Sequence, residues 1–563
     1  MHDALIECVP NFSEGRDPAV IKQITDVIEA VDGVYLLDVD PGKATNRTVV
    51  TFVGPPEPVL EAAFRATRKA AEVIDMTRHK GEHPRFGATD VLPLIPVRNI
   101  TMEQTAELAR GLGRRIGDEV GIPVYCYEYA ATRPERRNLA TVRAGEYEGL
   151  PEKLAKPEWK PDFGPAMFVP RTGAIAVGAR DFLVAYNVNL NTTSTRRANA
   201  IAFDIREKGR PARDGDPLTG PIRKDAEGRE VWIPGSLKAV KAIGWFIEEY
   251  GIAQISINLT NLSVTPIHVA FEECVRKAEA RGVRVTGSEL VGMVPLQAML
   301  DAGRHFLHKQ QRSTGVSDRE LVKIAVKSLG LADLKPFKPE EKIIEYALAA
   351  RAPKRRRLVD LTIRDFVEET ASESPAPGGG SVAATLGALG AALGTMVANL
   401  SSHKRGWDER WAHFSDWADR GKTCHDKLLR LIDEDTDAFN RLMTAFGLPK
   451  ATSAEKAARQ AAVEVATRDA ATVPLRVMET AVESMSVLEE MAREGLAASI
   501  SDVGVGALCA RGAVQGAFLN VRINCKSFAG KDWAIELLER GAALMERATQ
   551  LEREILEQVN ARL

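Results

Sequence analysis

Residues 34–54 read VYLLDVDPGKATNRTVVTFVG, which is two short apolar runs separated by a polar segment. Runs of this length that are rich in Val, Leu and Thr and bounded by turn residues predict two β-strands joined by a loop. The neighbouring patterns predict a strand at 4–10, a helix at 17–31, a helix at 58–75 and a strand at 91–97. The resulting order of strand, helix, two strands, helix and strand is the split βαβ arrangement of a ferredoxin-like sandwich.

The segment after residue 182 repeats this order of elements. Following a helix at 102–119 and a strand at 123–129, the patterns predict strands at 182–190, 238–247, 253–260 and 283–289 and helices at 193–207 and 266–281. A stretch rich in Gly, Pro and charge at 209–235 is typical of a surface insertion. The first half therefore resolves into two similar α+β subdomains.

The composition changes after RAPKRRR at 351–357, a basic run typical of a solvated linker, with nucleic-acid binding as the other reading. Long helical periodicities follow at 406–445, 452–488 and 530–560. We therefore expect an α+β half of two ferredoxin-like βαββαβ subdomains followed by an all-α helical bundle. The predicted boundaries are 1–182, 183–349, a basic linker at 350–357, and 358–563.

Composition limits the function classes. The 563 residues carry 75 basic and 77 acidic side chains, so no overall basic field favours a nucleic-acid partner. The six widely spaced cysteines predict buried thiols in a reducing compartment, and the N-terminus lacks secretory features, so we expect a cytoplasmic protein. Residues 382–400 carry no charge, but this run is mostly Ala, Gly and Thr, and we expect no membrane span.

A loop between a predicted helix and a predicted strand is dense in groups that carry protons. Residues 79–83 read HKGEH, the letters of a zinc-protease motif, but Gly81 and Pro84 disfavour the helix that such a zinc site requires. The loop HKGEHPRFGATD instead indicates a reaction site, because His is the side chain best suited to move protons near neutral pH. A solvated polar loop is the alternative.

Asp435 lies on the apolar stripe of a predicted helix. The apolar members of that stripe are Leu428, Leu431, Ile432, Phe439, Leu442 and Phe446. Burying an aspartate there is costly unless the carboxyl group is paired or its pKa is raised, and such groups are candidates for function. A buried aspartate that only fixes the helix by hydrogen bonding fits the pattern equally well.

The sequence PAPGGGS at 375–381 runs directly into a helix rich in small residues. Its glycines expose backbone N–H groups at a helix N-terminus, which suits an anion. A tight turn before a packed helix explains the same residues, and Gly387, Gly390, Ala391 and Gly394 predict close helix packing.

Several long motifs together resemble one family. They are ECVPNFSEGRD at 7–17, LLDVDPGKATNRTVVTFVGPP at 36–56, IDMTRHKGEHPRFGATDVLPLIPVR at 74–98, RAGEYEGLP at 143–151, DFGPAMFVPRTGA at 162–174, GSELVGMVPL at 287–296, IIEYAL at 343–348 and APGGGSVAA at 376–384. The chain is identified by them as a member of the formimidoyltransferase-cyclodeaminase family, the bifunctional folate enzymes of histidine degradation. The resemblance covers nearly the whole chain.

The resemblance implies that the first 349 residues transfer a formimidoyl group from N-formimidoyl-L-glutamate to tetrahydrofolate, with His83 as general base. It implies folate binding by Gly164, Pro165, Phe168, Val169, Pro170, Gly173, Leu237, Lys238, Val240, Gly244, Trp245, Gly378, Gly379, Gly380 and Ser381. Guanidinium groups fit carboxylates bidentately, so Arg47 and Arg85 are our candidates for the substrate carboxylates. No metal is expected.

The resemblance also implies that the helical domain closes 5-formimidoyl-tetrahydrofolate to 5,10-methenyl-tetrahydrofolate and releases ammonia. The family aspartate in D-x-D-x-x-A-F matches Asp435, as acid and base. Ring-like homo-oligomers acting on polyglutamylated folate are implied, and Lys354–Arg357 is a candidate to attract the polyglutamate tail. Two alternatives remain open for the helical domain, a methenyl-tetrahydrofolate cyclohydrolase and a non-catalytic scaffold for oligomerisation.

Overall fold

The strand pair predicted within residues 34–54 is present in the computed structural model, which describes residues 4–42, 45–81, 85–215, 220–351 and 357–563. The strands are β1 (Leu5–Cys8), β2 (Asn11–Phe12), β3 (Tyr35–Gly42), β4 (Arg47–Gly54), β5 (Thr89–Arg98), β6 (Val124–Glu128), β7 (Ile175–Ala179), β8 (Val184–Leu190), β9 (Arg210–Pro211), β10 (Trp232–Ile233), β11 (Val240–Ile247), β12 (Ile252–Leu259) and β13 (Val285–Val291).

The described residues up to 351 also contain α1 (Pro18–Glu29), α2 (Pro56–Val73), α3 (Met102–Glu119), α4 (Leu139–Arg143), α5 (Leu150–Leu154), α6 (Thr195–Ile205), α7 (Ile267–Glu279), α8 (Leu296–Lys309), α9 (Asp318–Leu329), α10 (Pro339–Lys342) and α11 (Ile344–Arg351). The helical part consists of α12 (Ile363–Thr370), α13 (Gly379–Ser402), α14 (Trp411–Phe446), α15 (Ser453–Glu494), α16 (Ile500–Cys525) and α17 (Asp532–Arg562). The predicted fold class, an α+β half followed by an all-helical part, is confirmed.

The first sheet contains the predicted ferredoxin-like order. β1 lies between β4 and β5, β3 pairs with the outer edge of β4, and these pairs are antiparallel. Helices α1, α2 and α3 bury their apolar side chains against one face of this sheet. β7 and β6 extend the sheet beyond β5 in parallel orientation, so the sheet is mixed.

The second sheet has the order β11-β12-β8-β13 and is antiparallel throughout. This order matches that of β3, β4, β1 and β5, as the repeated element pattern predicts. The predicted insertion at 209–235 contains the short hairpin of β9 and β10. Strand β7 was not predicted, because Ile-Ala-Val-Gly-Ala is a short run of small residues with a weak strand signal.

The helical part packs around the small residues of α13. A Cβ atom added to Gly390 would lie 2.8 Å from the carbonyl oxygen of Gly506, so α13 and α16 approach closely at this point. On α14, Leu428 and Ile432 are buried as predicted. The prediction for Phe446 is wrong: its ring is 46% exposed, because the last turn of α14 extends beyond the core.

Helix α15 contains a proline, Pro474, in its buried middle. Proline has no backbone N–H, so the carbonyl oxygen four residues earlier, that of Ala470, lacks its helical donor. The side-chain amide of Asn524 on α16 donates to this oxygen at 2.8 Å. A side chain from the neighbouring helix thus replaces the missing backbone hydrogen bond.

Contacts divide the chain into two compact units, residues 1–299 with 326–352 and residues 300–325 with 353–563. Segment 300–325 belongs to the helical unit, where Thr314 N–H donates to Ser415 Oγ at 3.0 Å. The boundaries predicted from sequence remain a prediction. Two helical stretches, Gly379–Ser402 and Ala497–Phe528, are long and apolar enough to cross a membrane, but buried core helices meet the same criterion, and half or more of each apolar window is buried.

Candidate active sites

Asp435 and the glycine-rich start of α13, two separate candidate sites in the sequence, lie together in the helical unit. Ser381 is fully buried in the first turn of α13, and its Oγ atom lies 3.0 Å from Asp435 Oδ2 and 3.0 Å from the carbonyl oxygen of Ile432. A Cβ atom on Gly380 would lie 2.2 Å from Asp435 Oδ1. The anion at this helix N-terminus is therefore the Asp435 carboxylate itself.

Burial raises the pKa of Asp435, while hydrogen bonds from the hydroxyl and backbone N–H of Ser381 oppose that rise. A carboxyl group with a raised pKa holds a proton more readily than an exposed one, which suits a group that takes and returns protons. A cavity of about 330 Å³ adjoins Thr436, the next residue on α14, and is also lined by loop residues 374–376. Asp435 itself does not line this cavity, and the α14 carboxylates that do are Asp433 and Asp437.

His83, the predicted general base of the transferase, lies outside the described residues, together with Glu82 and Pro84. The described residues on either side, 79–81 and 85–88, form no helix. His79 is buried, its Nε2 donates to the carbonyl oxygen of Asn46 at 2.8 Å, and burial lowers its pKa. This histidine fixes the loop, which agrees with a structural role.

The predicted folate-binding loop 164–173 runs beside the histidine loop. Ala88 N–H donates to the carbonyl oxygen of Thr172 at 2.8 Å, and Ala174 N–H donates to that of Phe86 at 3.1 Å. Gly173 has a positive φ of 67°, and a Cβ atom there would lie 2.5 Å from the carbonyl oxygen of Phe86. Two of the predicted segments, far apart in sequence, are thus joined by backbone contacts.

Arg85 lies next to these two loops. Its guanidinium pairs with Glu148 and lies 5.7 Å from the centre of the Tyr147 ring. The Tyr147 ring in turn lies 5.4 Å from that of Phe168, and its hydroxyl donates to the carbonyl oxygen of Pro170 at 2.6 Å. Arg85 therefore lies beside the predicted folate loop.

The second predicted folate segment is divided between the two faces of a sheet. Val240 and Gly244 are buried, and Gly244 lies directly under α6, where a Cβ atom would meet Asn199 N at 2.2 Å. Leu237 is buried as well. Lys238 and Trp245 are exposed, so of the predicted folate-binding residues in this second segment these two are accessible to solvent. The indole Nε1 of Trp245 donates to Gln254 Oε1 at 3.2 Å.

A cleft of about 970 Å³ opens between the open face of the first sheet and residues of the second subdomain. Arg47 lines this cleft and donates to Asn11 Oδ1. Beside it, Arg143 Nη2 donates to Asp90 Oδ2 at 2.8 Å. Burial raises the pKa of Asp90 to about 6, against the effect of the two arginines. Arg47 and Arg143 together outweigh the single carboxyl group of Asp90, so this part of the cleft has a net positive charge, which suits a carboxylate ligand.

Sequence reasoning missed three charged side chains of the first subdomain. Glu7, Asp90 and Arg143 are buried or largely buried charged residues of this subdomain, and Glu7 and Arg143 line the cleft. The available signal was a charge inside an otherwise apolar strand, as in LIEC at 5–8. Over the parts of the chain that are described, no group of three or more His, Cys, Asp or Glu side chains is placed to hold a metal ion.

Models of known protein families match both halves of the chain. The formiminotransferase domain, N-terminal subdomain, matches residues 5–180, the formiminotransferase domain matches 185–349, and the formiminotransferase-cyclodeaminase model matches 362–543. A formimidoyltransferase-cyclodeaminase of Gallus gallus is 44% identical over 97% of this chain and 97% of its own length.

Two shorter relatives match one half each. A glutamate formimidoyltransferase of Thermoplasma acidophilum is 43% identical over 57% of this chain and 99% of its own length. A methenyltetrahydrofolate cyclohydrolase of Methylorubrum extorquens is 37% identical over 36% of this chain and 97% of its own length. Because the full-length similarity spans both halves, the chain belongs to the formimidoyltransferase-cyclodeaminase family.

Proposed function

We propose that this chain is a bifunctional folate enzyme of histidine degradation. It transfers the formimidoyl group of N-formimidoyl-L-glutamate to tetrahydrofolate, and then closes 5-formimidoyl-tetrahydrofolate to 5,10-methenyl-tetrahydrofolate with release of ammonia. The observation that carries the second step is the contact between Asp435 and the start of α13, which holds a buried carboxyl group of raised pKa by hydrogen bonds.

In the transfer step, N5 of tetrahydrofolate attacks the amidine carbon, the bond from that carbon to the glutamate nitrogen breaks, and the departing nitrogen takes up the proton that N5 loses. We assign the proton from N5 to His83, whose loop is joined to the folate loop 164–173 through residues 86–88 and 172–174. The arginine at position 47 lies in the cleft and is assigned to a substrate carboxylate, with Arg143 beside it. Arg85 stays the second candidate for a substrate carboxylate, and its guanidinium lies 5.7 Å from the ring of Tyr147, which contacts the predicted folate loop at Phe168 and Pro170.

In the ring-closing step, N10 of the folate attacks the same carbon, and ammonia leaves. One proton must come off N10 and one must reach the departing nitrogen, so a single carboxyl group of raised pKa serves both transfers. Asp435 is assigned this role. Ser381 holds the carboxyl group in place, and its own hydroxyl has a second acceptor in the carbonyl of Ile432.

A cyclohydrolase is the second candidate for the helical part, and the similarity to the Methylorubrum extorquens protein favours it. The two chemistries differ in one product. Purified protein given N-formimidoyl-L-glutamate and tetrahydrofolate is expected to form methenyl-tetrahydrofolate, followed by absorbance, and an equal amount of ammonia, followed by a coupled enzyme. Glutamate release without ammonia would contradict the cyclodeaminase and leave a cyclohydrolase or a scaffold.

We also propose a cytoplasmic homo-oligomer that acts on polyglutamylated folate. Exposed apolar side chains on two neighbouring helices support self-association, namely Val382, Leu389, Met396 and Leu400 on α13 and Val505, Leu508, Leu519 and Ile523 on α16. Of the basic segment Lys354–Arg357, the first three residues lie outside the described chain, and Arg357 pairs with Asp360 at 2.9 Å. Light scattering measures the oligomeric state. Reversing the charge of segment 354–357 tests whether this segment retains the 5-formimidoyl-tetrahydrofolate intermediate.

A further inference from the structure

Glu7 is a buried carboxyl group in the central strand of the first sheet. β1 pairs with β4 on one side and β5 on the other, so Glu7 has a strand on each side. Its neighbours Ile6 and Cys8 point into the core beneath the helices. Because side chains alternate along a strand, Glu7 points to the opposite face, where it lines the 970 Å³ cleft. The residue is 5% exposed.

The carboxyl group of Glu7 has no hydrogen bond or ion pair with any other residue of the described chain. Burial raises the pKa of Glu7 to about 7; the charge of Arg180 opposes this rise, and that of Glu345 adds to it. Glu345 provides a contrast in the same region, because it accepts the backbone N–H of Leu296 at 2.7 Å. Of these two neighbouring carboxyl groups, the one that lines the cleft is the one without a donor.

Because the carboxyl group of Glu7 lines the cleft without a donor from the described residues, a ligand there that brings both positive charge and N–H groups would pair with it. An amidinium is such a ligand: it is planar and cationic at neutral pH, and its N–H groups match the two oxygens of a carboxylate in a bidentate pair. The proposed transferase reaction brings an amidinium into this subdomain, as the formimidoyl group of the donor substrate.

We propose that Glu7 binds the amidinium group of the formimidoyl donor in the cleft, an assignment that rests on the proposed transferase function. The carboxylate keeps the amidine protonated, and a protonated amidine carbon is the better electrophile for N5. It also sets specificity: a formyl group presents an oxygen instead of an N–H, and that oxygen is repelled by the carboxylate. Glu7 therefore selects an amidine over the neutral amide of the same shape.

The test compares two ligands in Glu7→Gln. Dissociation constants for N-formimidoyl-L-glutamate and for its neutral isostere N-formyl-L-glutamate are measured by calorimetry, and kcat and KM by the transfer assay. Loss of one charge-assisted hydrogen-bonded pair is expected to weaken binding of the formimidoyl ligand by about 10- to 100-fold. Binding of the formyl ligand is expected to be unchanged or tighter, and the KM for tetrahydrofolate unchanged.

Glu345→Gln is the matched control, because it removes a nearby buried charge while its amide oxygen still accepts the Leu296 N–H. Glu345→Gln is expected to keep the wild-type preference for the formimidoyl ligand over the formyl ligand. Glu7→Asp, which retains a carboxylate, is expected to keep part of this preference. Equal weakening of both ligands in Glu7→Gln, or no change in either, would overturn the assignment while leaving the transferase in place. A wild-type protein that transfers no formimidoyl group would overturn the proposed function and this assignment with it.

Discussion

Ser381 Oγ lies 3.0 Å from Asp435 Oδ2, although 54 residues separate the two in sequence. The contact exists because Gly380, just before Ser381, has no side chain and leaves room for the carboxylate against the first turn of α13. Asp435 thus receives hydrogen bonds from the hydroxyl and backbone of one residue, and burial keeps its pKa raised.

Replacing Asp435 by Asn is expected to reduce ring closure and ammonia release by about 100- to 10,000-fold, because the amide cannot exchange protons. Formimidoyl transfer is expected to continue. Glu434→Gln is the control, since Glu434 lies on the same helix but pairs with Arg476 at the surface. Unchanged ammonia release in Asp435→Asn would contradict the acid–base role assigned to Asp435.

Replacing Gly380 by Ala tests the space that this contact needs. The new Cβ atom would lie 2.2 Å from Asp435 Oδ1, so the carboxyl group must move, and a displacement of about 1 Å typically costs about 100-fold in rate. Gly516→Ala is the comparison within the same unit, because its Cβ atom would meet Ala383 at an ordinary 3.5 Å. Ring-closure kcat is measured for both variants, and equal rates would contradict the positioning role.

The stability of the protein is expected to depend on pH through Glu7. Its folded pKa of about 7 lies above the ordinary value of 4.5, so the folded state holds the proton more tightly than the unfolded chain does. The favourable contribution is fully present below about pH 4.5 and is lost as the pH rises to about 7. Glu7→Gln should therefore gain stability relative to wild type over this range, by up to about 3 kcal/mol.

Thermal unfolding of both proteins between pH 4.5 and pH 8 measures this difference. Glu434→Gln, which removes one surface charge, controls for the general effect of net charge. A difference between Glu7→Gln and wild type that stays constant across the range would show that Glu7 titrates at an ordinary pKa.

Replacing Asn524 by Leu is expected to destabilise the helical unit. The carbonyl oxygen of Ala470 would lose the donor that compensates for Pro474, at a cost of about 1–3 kcal/mol. The double variant Pro474→Ala, Asn524→Leu restores a backbone N–H to this oxygen and should recover most of the lost Tm. Calorimetry of the full chain checks both variants, and failure of the second substitution to rescue the first would contradict this account.

The order of elements could be predicted because it depends on local patterns. The alternating apolar runs around residues 34–54 and the long helical periodicities after 358 correspond to strands and helices of the structure. Asp435 could be singled out for a similar reason, since its position on the stripe with Ile432 depends on helical periodicity alone.

The contacts of that aspartate could not be predicted, because they depend on how distant segments pack. Nothing in PAPGGGS indicates that its helix start would enclose a carboxylate from α14. Glu7 was overlooked for a related reason: the run ALIECVP predicts a strand, but only the paired sheet reveals which face its charged residue occupies. Phe446 continued the apolar stripe in sequence, yet the core ends before it.

The pairing of Pro474 with Asn524 has a consequence for the evolutionary history of the helical unit. A proline introduced at position 474 before an amide donor existed at 524 would have left a buried carbonyl group without a partner. An asparagine introduced first carries no such penalty, because it can turn its side chain elsewhere. The dependence therefore runs in one direction: the proline at 474 needs the amide at 524, whereas the asparagine does not need the proline.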